Sequence, residues 1–215
     1  MTNKENSARI PGIAVFISGR GSNLTALADA VDAGTLRARI ACVVSNRADA
    51  QGVERAARRG LATRVVPHAG LSRAEHAVRL LAALAEFEPD FVCLAGYMRL
   101  LAPEFVRAYS NRIVNIHPSL LPAFPGLDAQ EQAIAYGVKI SGCTVHLVDE
   151  KLDHGPIIAQ APVPTRDDDT AETLAARILV EEHRLYPFAM QRLLHEKWDV
   201  VGRRVVFAGH RDQEP

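Results

Sequence analysis

Apolar residues along the chain alternate between short β-branched runs and longer stretches with apolar positions three and four apart. Residues 12–18 (GIAVFIS) are nearly all apolar and predict a strand buried on both faces. Residues 24–33 follow with helical spacing and stop at Gly34. Residues 40–45 predict a second strand, 53–59 a helix ending at Gly60, and 63–66 a short third strand. Residues 72–87 carry the clearest helical stripe, formed by Ala77, Leu80, Leu81, Leu84 and Phe87. Ser72 and Glu75 have the spacing of a capping box at its start. Residues 91–95 predict a fourth strand. Further on, 112–115, 142–148 and 157–163 read as strands and 170–196 as a long helix opened by Thr170, Glu172 and Thr173. Residues 203–207 read as a late strand or an ordered tail.

Strands alternating with helices predict an α/β class with a parallel sheet, right-handed crossovers and a more strand-rich second half. No linker or shift in composition divides the chain. Residues 12–200 are therefore expected to form a single domain, after a flexible lead-in (1–11) and before a C-terminal strand or tail (201–215). A length of 215 residues suits that and can bury a full core. Charge changes the picture by subtraction: 25 Lys+Arg against 25 Asp+Glu leave no net field to attract nucleic acid or an acidic membrane. No apolar run approaches the ~18 residues that span a bilayer. The opening MTNKENSARIPG lacks the apolar middle of a signal peptide. Cys42, Cys93 and Cys143 each sit in an apolar strand-like run, and none belongs to a Cys-x-x-Cys pair. Buried thiols in a reducing, cytoplasmic setting are expected.

Two segments carry candidate chemistry. The first, Ser18-Gly19-Arg20-Gly21-Ser22-Asn23, lies between the first strand and the first helix. A glycine turn feeding a helix N-terminus offers free N–H groups to an anion, with Gly21, Ser22, Asn23 and Leu24 as the cradle. Leu24 breaks the dinucleotide pattern, Ser45-Asn46-Arg47 supplies no acidic residue for a ribose, and no Lys-Ser/Thr pair follows. A phosphate-bearing small molecule fits better than NAD or ATP. The structural alternative is a plain tight turn with Asn23 as N-cap.

The second segment is 112–126, RIVNIHPSLLPAFPG. Asn115 and His117 are two apart on an extended run and share a face. They stand at a strand's carboxyl end, where open α/β sheets bind ligands. Pro118, Pro122 and Pro125 stiffen the loop beyond the strand, and the Leu121–Pro122 bond is a candidate for the cis form. An amide beside an imidazolium suits an oxyanion. A carboxylate would orient the ring and favour its charged form. Asp153 is the candidate and Asp149 and Glu150 are rivals on spacing, while on pattern alone a solvated acidic turn accounts for all three better than a catalytic role does. Cys93 lies inside an apolar strand and is no candidate nucleophile. His146, Asp149 and His154 match no familiar ligand spacing, so no metal is expected.

SGRGSNLTAL, LAGYMRLL, NIHPSLLPAFPG and TVHLVDEKLDHGPIIAQ resemble, in order, motifs of the phosphoribosylglycinamide (glycinamide ribonucleotide) formyltransferase family. The likeness runs from about Ile13 to Pro187, and EEHRLYP narrows it to this branch of the formyltransferases. The resemblance implies a Rossmann-like formyltransferase fold, a mostly parallel sheet with helices on both faces. It implies transfer of a formyl group from 10-formyltetrahydrofolate, the co-substrate, to the amine of glycinamide ribonucleotide in purine (IMP) synthesis. By similarity Asn115, His117 and Asp153 are catalytic. Gly21, Ser22, Asn23, Leu24, Thr25 and Glu182 bind the ribonucleotide. Arg73, Met98, Arg99, Leu100, Leu101, Asn115, Val148 and Asp153 bind folate, with residues 147–153 closing over the pterin. Without the resemblance, Met98, Leu100 and Leu101 read as core and Arg99 as a surface ion-pair partner.

Arg20 and His154 depart from the family pattern, in which small or amide residues are expected at the first position and small ones at the second. Small-molecule partners are implied, without nucleic acid or membrane, in a monomer or homodimer. Three other readings compete. A formyltetrahydrofolate hydrolase would share the trio but carry an N-terminal regulatory domain, whereas only about a dozen residues precede the first strand here. A methionyl-tRNA formyltransferase would need a C-terminal domain and a basic surface. A non-catalytic folate- or nucleotide-binding module would be expected to have a broken trio.

Overall fold

β1 (Gly12–Ile17) is buried at every position, and its side chains alternate between two cores. Ile13, Val15 and Ile17 face one cluster, Ala14 and Phe16 the other. That division extends across the computed structural model, which describes residues 9–208. Residues 1–8 of the expected lead-in and 209–215 of the expected tail lie outside the described residues.

The first half follows the predicted alternation. α1 (Ser22–Asp32), β2 (Arg39–Ser45), α2 (Gln51–Arg58), β3 (Thr63–Val65), α3 (Arg73–Leu84) and β4 (Phe91–Leu94) come in order. α3 opens with the capping box expected at Ser72 and Glu75, both reciprocal hydrogen bonds being present. The second half contains α4 (Pro103–Ala108), β5 (Ile113–His117), α5 (Ala129–Tyr136), β6 (Ile140–Leu147), β7 (Ile157–Pro164) and α6 (Ala171–His195). The hairpin β8 (Trp198–Val201) and β9 (Arg204–Phe207) ends the described chain. Thr170 caps α6 with Thr173, and the helix continues through Pro187.

Among the described residues the strands form one sheet in the order β3-β2-β1-β4-β5-β6-β7-β9-β8. β1, β2, β3, β4 and β5 pair in parallel, whereas β5–β6, β6–β7 and β8–β9 are antiparallel. α1, α2 and α6 cover the face carrying Val15 and Val114, and α3 and α4 cover the face carrying Phe16 and Ile113. This is an α/β fold with helices on both faces. The strand order reverses direction between β1 and β4, which opens a crevice at their carboxyl ends.

Three elements escaped the sequence pattern. α4 has six residues, too few to display a helical period, and Pro103 starts it. α5 follows a left-handed Asp128 and buries only Ala129 and Ala133. β8 is a four-residue strand at the sheet edge. β5 also runs two residues past its expected end. His117 precedes Pro118, and a residue before proline favours extended backbone. The Leu121–Pro122 bond is cis. Among the described residues no helix is long and apolar enough to cross a membrane.

Candidate active site

β5 delivers Asn115 and His117 to the carboxyl end of the sheet, on the face away from Val114 and Ile116. β6 runs beside it, and the register places His146 directly opposite Asn115. The turn between β6 and β7 brings Asp153 back over both. Its backbone φ is +46°, an uncommon conformation for a residue other than glycine. The Asp153 carboxylate is almost buried. Its Oδ2 accepts the Gly126 N–H at 2.8 Å and lies 3.4 Å from His117 Nδ1. Its Oδ1 lies 3.8 Å from His146 Nε2.

The two rivals of Asp153 turn elsewhere. Asp149 pairs with His154 Nδ1 at 2.7 Å, and Glu150 accepts from Arg107. His146 and His154 thus have different partners, Asn115 and the Leu147 carbonyl for the first and Asp149 for the second.

Hydrogen-bond partners assign the protons. His146 Nδ1 is 2.8 Å from the Leu147 carbonyl, a pure acceptor, so Nδ1 carries hydrogen. Nε2 is then the acceptor of the Asn115 Nδ2–H at 3.2 Å. His146 is 2% exposed, and burial pushes its pKa down, opposed by the Leu147 carbonyl and the Asp153 charge. A neutral His146 therefore fixes the Asn115 amide and leaves that amide's second N–H free. His117 Nε2 is 2.8 Å from the Phe124 carbonyl, so it carries hydrogen as well. Nδ1 faces the Asp153 carboxylate at 3.4 Å. The donors of the expected pair are not equally open. Asn115 has one to spare, while both ring nitrogens of His117 already face acceptors.

The glycine loop forms a second centre. Gly21 is the N-cap of α1 at φ +72°, with no side-chain cap. The N–H groups of Ser22, Asn23 and Leu24 have no intrahelical acceptor. Thr25 differs from the other expected ligands, because its N–H and hydroxyl both donate to the Gly21 carbonyl, at 3.0 and 3.1 Å. Asn23 is not the N-cap. Its Nδ2 donates to Glu182 Oε2 at 2.7 Å, joining α1 to α6. Glu182 is nearly buried, and burial raises its pKa against the opposing bond from Asn23. Arg20 is exposed.

The sequence pattern did not single out Gly52. A Cβ on Gly21 would lie 2.8 Å from Gly52 Cα, so the loop backbone packs directly on the start of α2. In the sequence Gly52 stands just before the expected helix of residues 53–59, where a glycine gives no signal of a close approach, and only the start of α2 at Gln51 places it inside the helix.

Apart from Asn115 and Asp153, the expected folate residues come from the loop after β4 (Met98, Arg99, Leu100 and Leu101), the first position of α3 (Arg73) and the residue after β6 (Val148). Met98 N–H donates to Ser18 Oγ at 2.8 Å, tying the loop after β4 to the loop after β1 across the crevice. Met98 and Leu100 are 67% and 53% exposed, so neither is a core residue, while Leu101 and Val148 pack on the α3–α4 face. Arg99 Nη2 donates to the Leu71 carbonyl at 3.1 Å, two residues before Arg73, the exposed first residue of α3. Cys93 is fully buried against Met190, and burial pushes its thiol up to about 12, which removes it as a nucleophile.

Comparison with known proteins places this geometry among relatives. Residues 12–190 match the formyl transferase family. Phosphoribosylglycinamide formyltransferase of Escherichia coli is 43% identical over 211 residues, covering 94% of this chain and 99% of that protein. The trifunctional purine biosynthetic protein adenosine-3 of Bos taurus is 46% identical over 180 residues, or 83% of this chain. The chain spans only 18% of that larger protein's length. The crystal structure of glycinamide ribonucleotide transformylase 1 from Symbiobacterium toebii superposes with a TM-score of 0.90 at 49% identity, covering 92% of this chain and 94% of the other.

Proposed function

The chain belongs to the formyl transferase family, and from that premise we propose that it transfers a formyl group from 10-formyltetrahydrofolate to the amine of glycinamide ribonucleotide, a step of purine synthesis. The observation that carries the reading is the convergence of Asn115, His117 and Asp153 at one strand end. The substrate amine attacks the formyl carbon, and the carbonyl oxygen takes up the negative charge. Asn115 donates its free N–H to that oxygen. His117 Nε2–H adds a second donor when the oxyanion displaces the Phe124 carbonyl, and Asp153 balances the ring charge. A C–N bond to the amine forms and the bond to folate N10 breaks. The proton lost by the amine reaches N10, so the products are formylated ribonucleotide and tetrahydrofolate. Both substrates held side by side gain the proximity term.

The phosphate of the ribonucleotide binds at the N-terminus of α1, with the N–H groups of Ser22, Asn23 and Leu24 as donors. Glu182 contacts the sugar hydroxyls or amine from α6. The folate ring system lies in the crevice near Met98, Arg99, Leu100, Leu101 and Val148, and its glutamate end lies toward Arg73. No metal takes part in the proposed chemistry. We place the reaction in the cytoplasm, in keeping with the free, buried Cys42, Cys93 and Cys143.

The test is acceptor dependence. Purified protein with 10-formyltetrahydrofolate should release tetrahydrofolate only when glycinamide ribonucleotide is added. Equal release without the ribonucleotide would instead mean hydrolysis by water. Binding of both ligands without release would mean a non-catalytic module.

A further inference from the structure

His154 stands where small residues are common in the family, and the proposed chemistry gives it no part. It sits in the turn between β6 and β7, directly after Asp153. We infer that His154 and Arg203 are positioning residues for Asp153, and that the terminal hairpin β8–β9 thereby belongs to the working part of the molecule. The inference rests on the catalytic reading of Asp153 given above.

The turn is closed at its base. Leu147 N–H donates to the Pro156 carbonyl at 2.9 Å. Gly155 has no room for a side chain, since a Cβ would lie 1.9 Å from the Leu147 carbonyl oxygen. Near the tip, Asp149 Oδ2 meets His154 Nδ1 at 2.7 Å, and Asp149 Oδ1 accepts the Lys151 N–H at 2.9 Å. Residues 149 and 154 therefore clasp the short segment that contains Asp153. Asp153 holds its left-handed φ inside that clasp, with its carboxylate aimed inward at His117, His146 and Gly126. A backbone in that region relaxes unless its surroundings hold it.

The hairpin supplies the outer restraint. Nδ1 of His154 faces a carboxylate and so carries hydrogen, which leaves Nε2 as an acceptor. Arg203 Nη1 donates to that Nε2. Arg203 lies in the turn of the hairpin, and its neighbour Arg204 pairs with Ile157, two residues beyond Gly155. The hairpin is thus registered against the exit of the same turn it braces. Held by Asp149 on one nitrogen and Arg203 on the other, the imidazole cannot rotate without breaking a bond, and rotation of the Asp153 backbone must carry the next residue with it.

The His154 and Asp149 side chains are 42% and 38% exposed, so solvent screens each contact. A surface pair of this kind converts to about a two- to five-fold effect on rate. Kinetics of His154→Ala, His154→Gln, Arg203→Ala and the double variant His154→Ala/Arg203→Ala, with Asp153→Asn alongside, test the inference. Arg203→Ala should lower kcat about two- to five-fold, with the KM for ribonucleotide and the Tm unchanged. The double variant should be no slower than His154→Ala alone, because the two residues act through one contact. His154→Gln keeps a donor and an acceptor and should recover most of the rate. If Asp153→Asn loses activity while both alanine variants keep full kcat, or their effects simply add, the inference is overturned and the catalytic reading stands. If Asp153→Asn itself keeps full kcat, the catalytic reading has failed.

Discussion

Glu182 is held on α6 at 8% exposure, facing Asn23 of α1, and its pKa is raised mainly by burial. The native pKa therefore lies above that of the unfolded chain. Such a group contributes stability below the unfolded value and loses it as pH rises through the native one. Glu182→Gln keeps an oxygen for Asn23 and removes the charge. The variant should melt above the unaltered protein at neutral pH, and the gap should close on acidification. A Tm series against pH checks this, and a gap that widens at acid pH contradicts it. The same variant should raise the KM for ribonucleotide, since the charge that costs stability is the one proposed to bind. Residue types at this scale were readable in part. Asn115 and His117 announced themselves by sharing a strand face next to Pro118. His146 did not, because a histidine in an apolar strand reads as core, and only the β5–β6 register shows what it faces. The choice of Asp153 over Asp149 and Glu150 was likewise closed to spacing, since it depends on how the turn folds.

The glycine loop and α1 act as one element. Its conformation requires both a left-handed Gly21 and the missing side chain of Gly52. A Gly21→Ala substitution costs about 1–2 kcal/mol from left-handed backbone alone, and its Cβ would also press on α2. The expected outcome is a raised KM for ribonucleotide with the KM for folate little changed. Steady-state kinetics with each substrate varied in turn settle the point, and an equal rise in both would remove the loop as phosphate site. The elements that the sequence made legible are those long enough to show a period or buried enough to be apolar throughout, such as α3, α6 and β1. α4, α5 and β8 lacked that length or contrast. The N-terminus of α1 also began earlier than its hydrophobic stripe, because Ser22 and Asn23 are polar and the buried Asn23 is held by its hydrogen bond to Glu182 and not by apolar contact.

Across the whole molecule, α6 ties the second half to the first. Tyr186 is fully buried, and its hydroxyl donates at 2.9 Å to the Val114 carbonyl of β5 and lies 3.2 Å from the Leu94 carbonyl of β4. That bond braces the two strands from the face opposite Asn115 and His117. Tyr186→Phe should lower stability by about 0.5–1.5 kcal/mol, the net worth of a hydrogen bond to carbonyls that already belong to the β4–β5 ladder. Urea unfolding with an unchanged m-value is the check, and an unchanged midpoint would mean that the hydroxyl contributes nothing. The α/β class was legible from alternation. The strand order was not, since neither the β1–β4 crevice nor the antiparallel turn of β6 and β7 leaves a local signature. Those two features bring residues from distant parts of the chain to one end of the sheet. The most direct test of the catalytic role is the single-turnover rate of formyl transfer in His117→Ala, measured together with the Kd for glycinamide ribonucleotide. The rate should fall by about 10²–10³ while the Kd holds; an unchanged rate, or a loss confined to ribonucleotide binding, would contradict the role assigned to the imidazole.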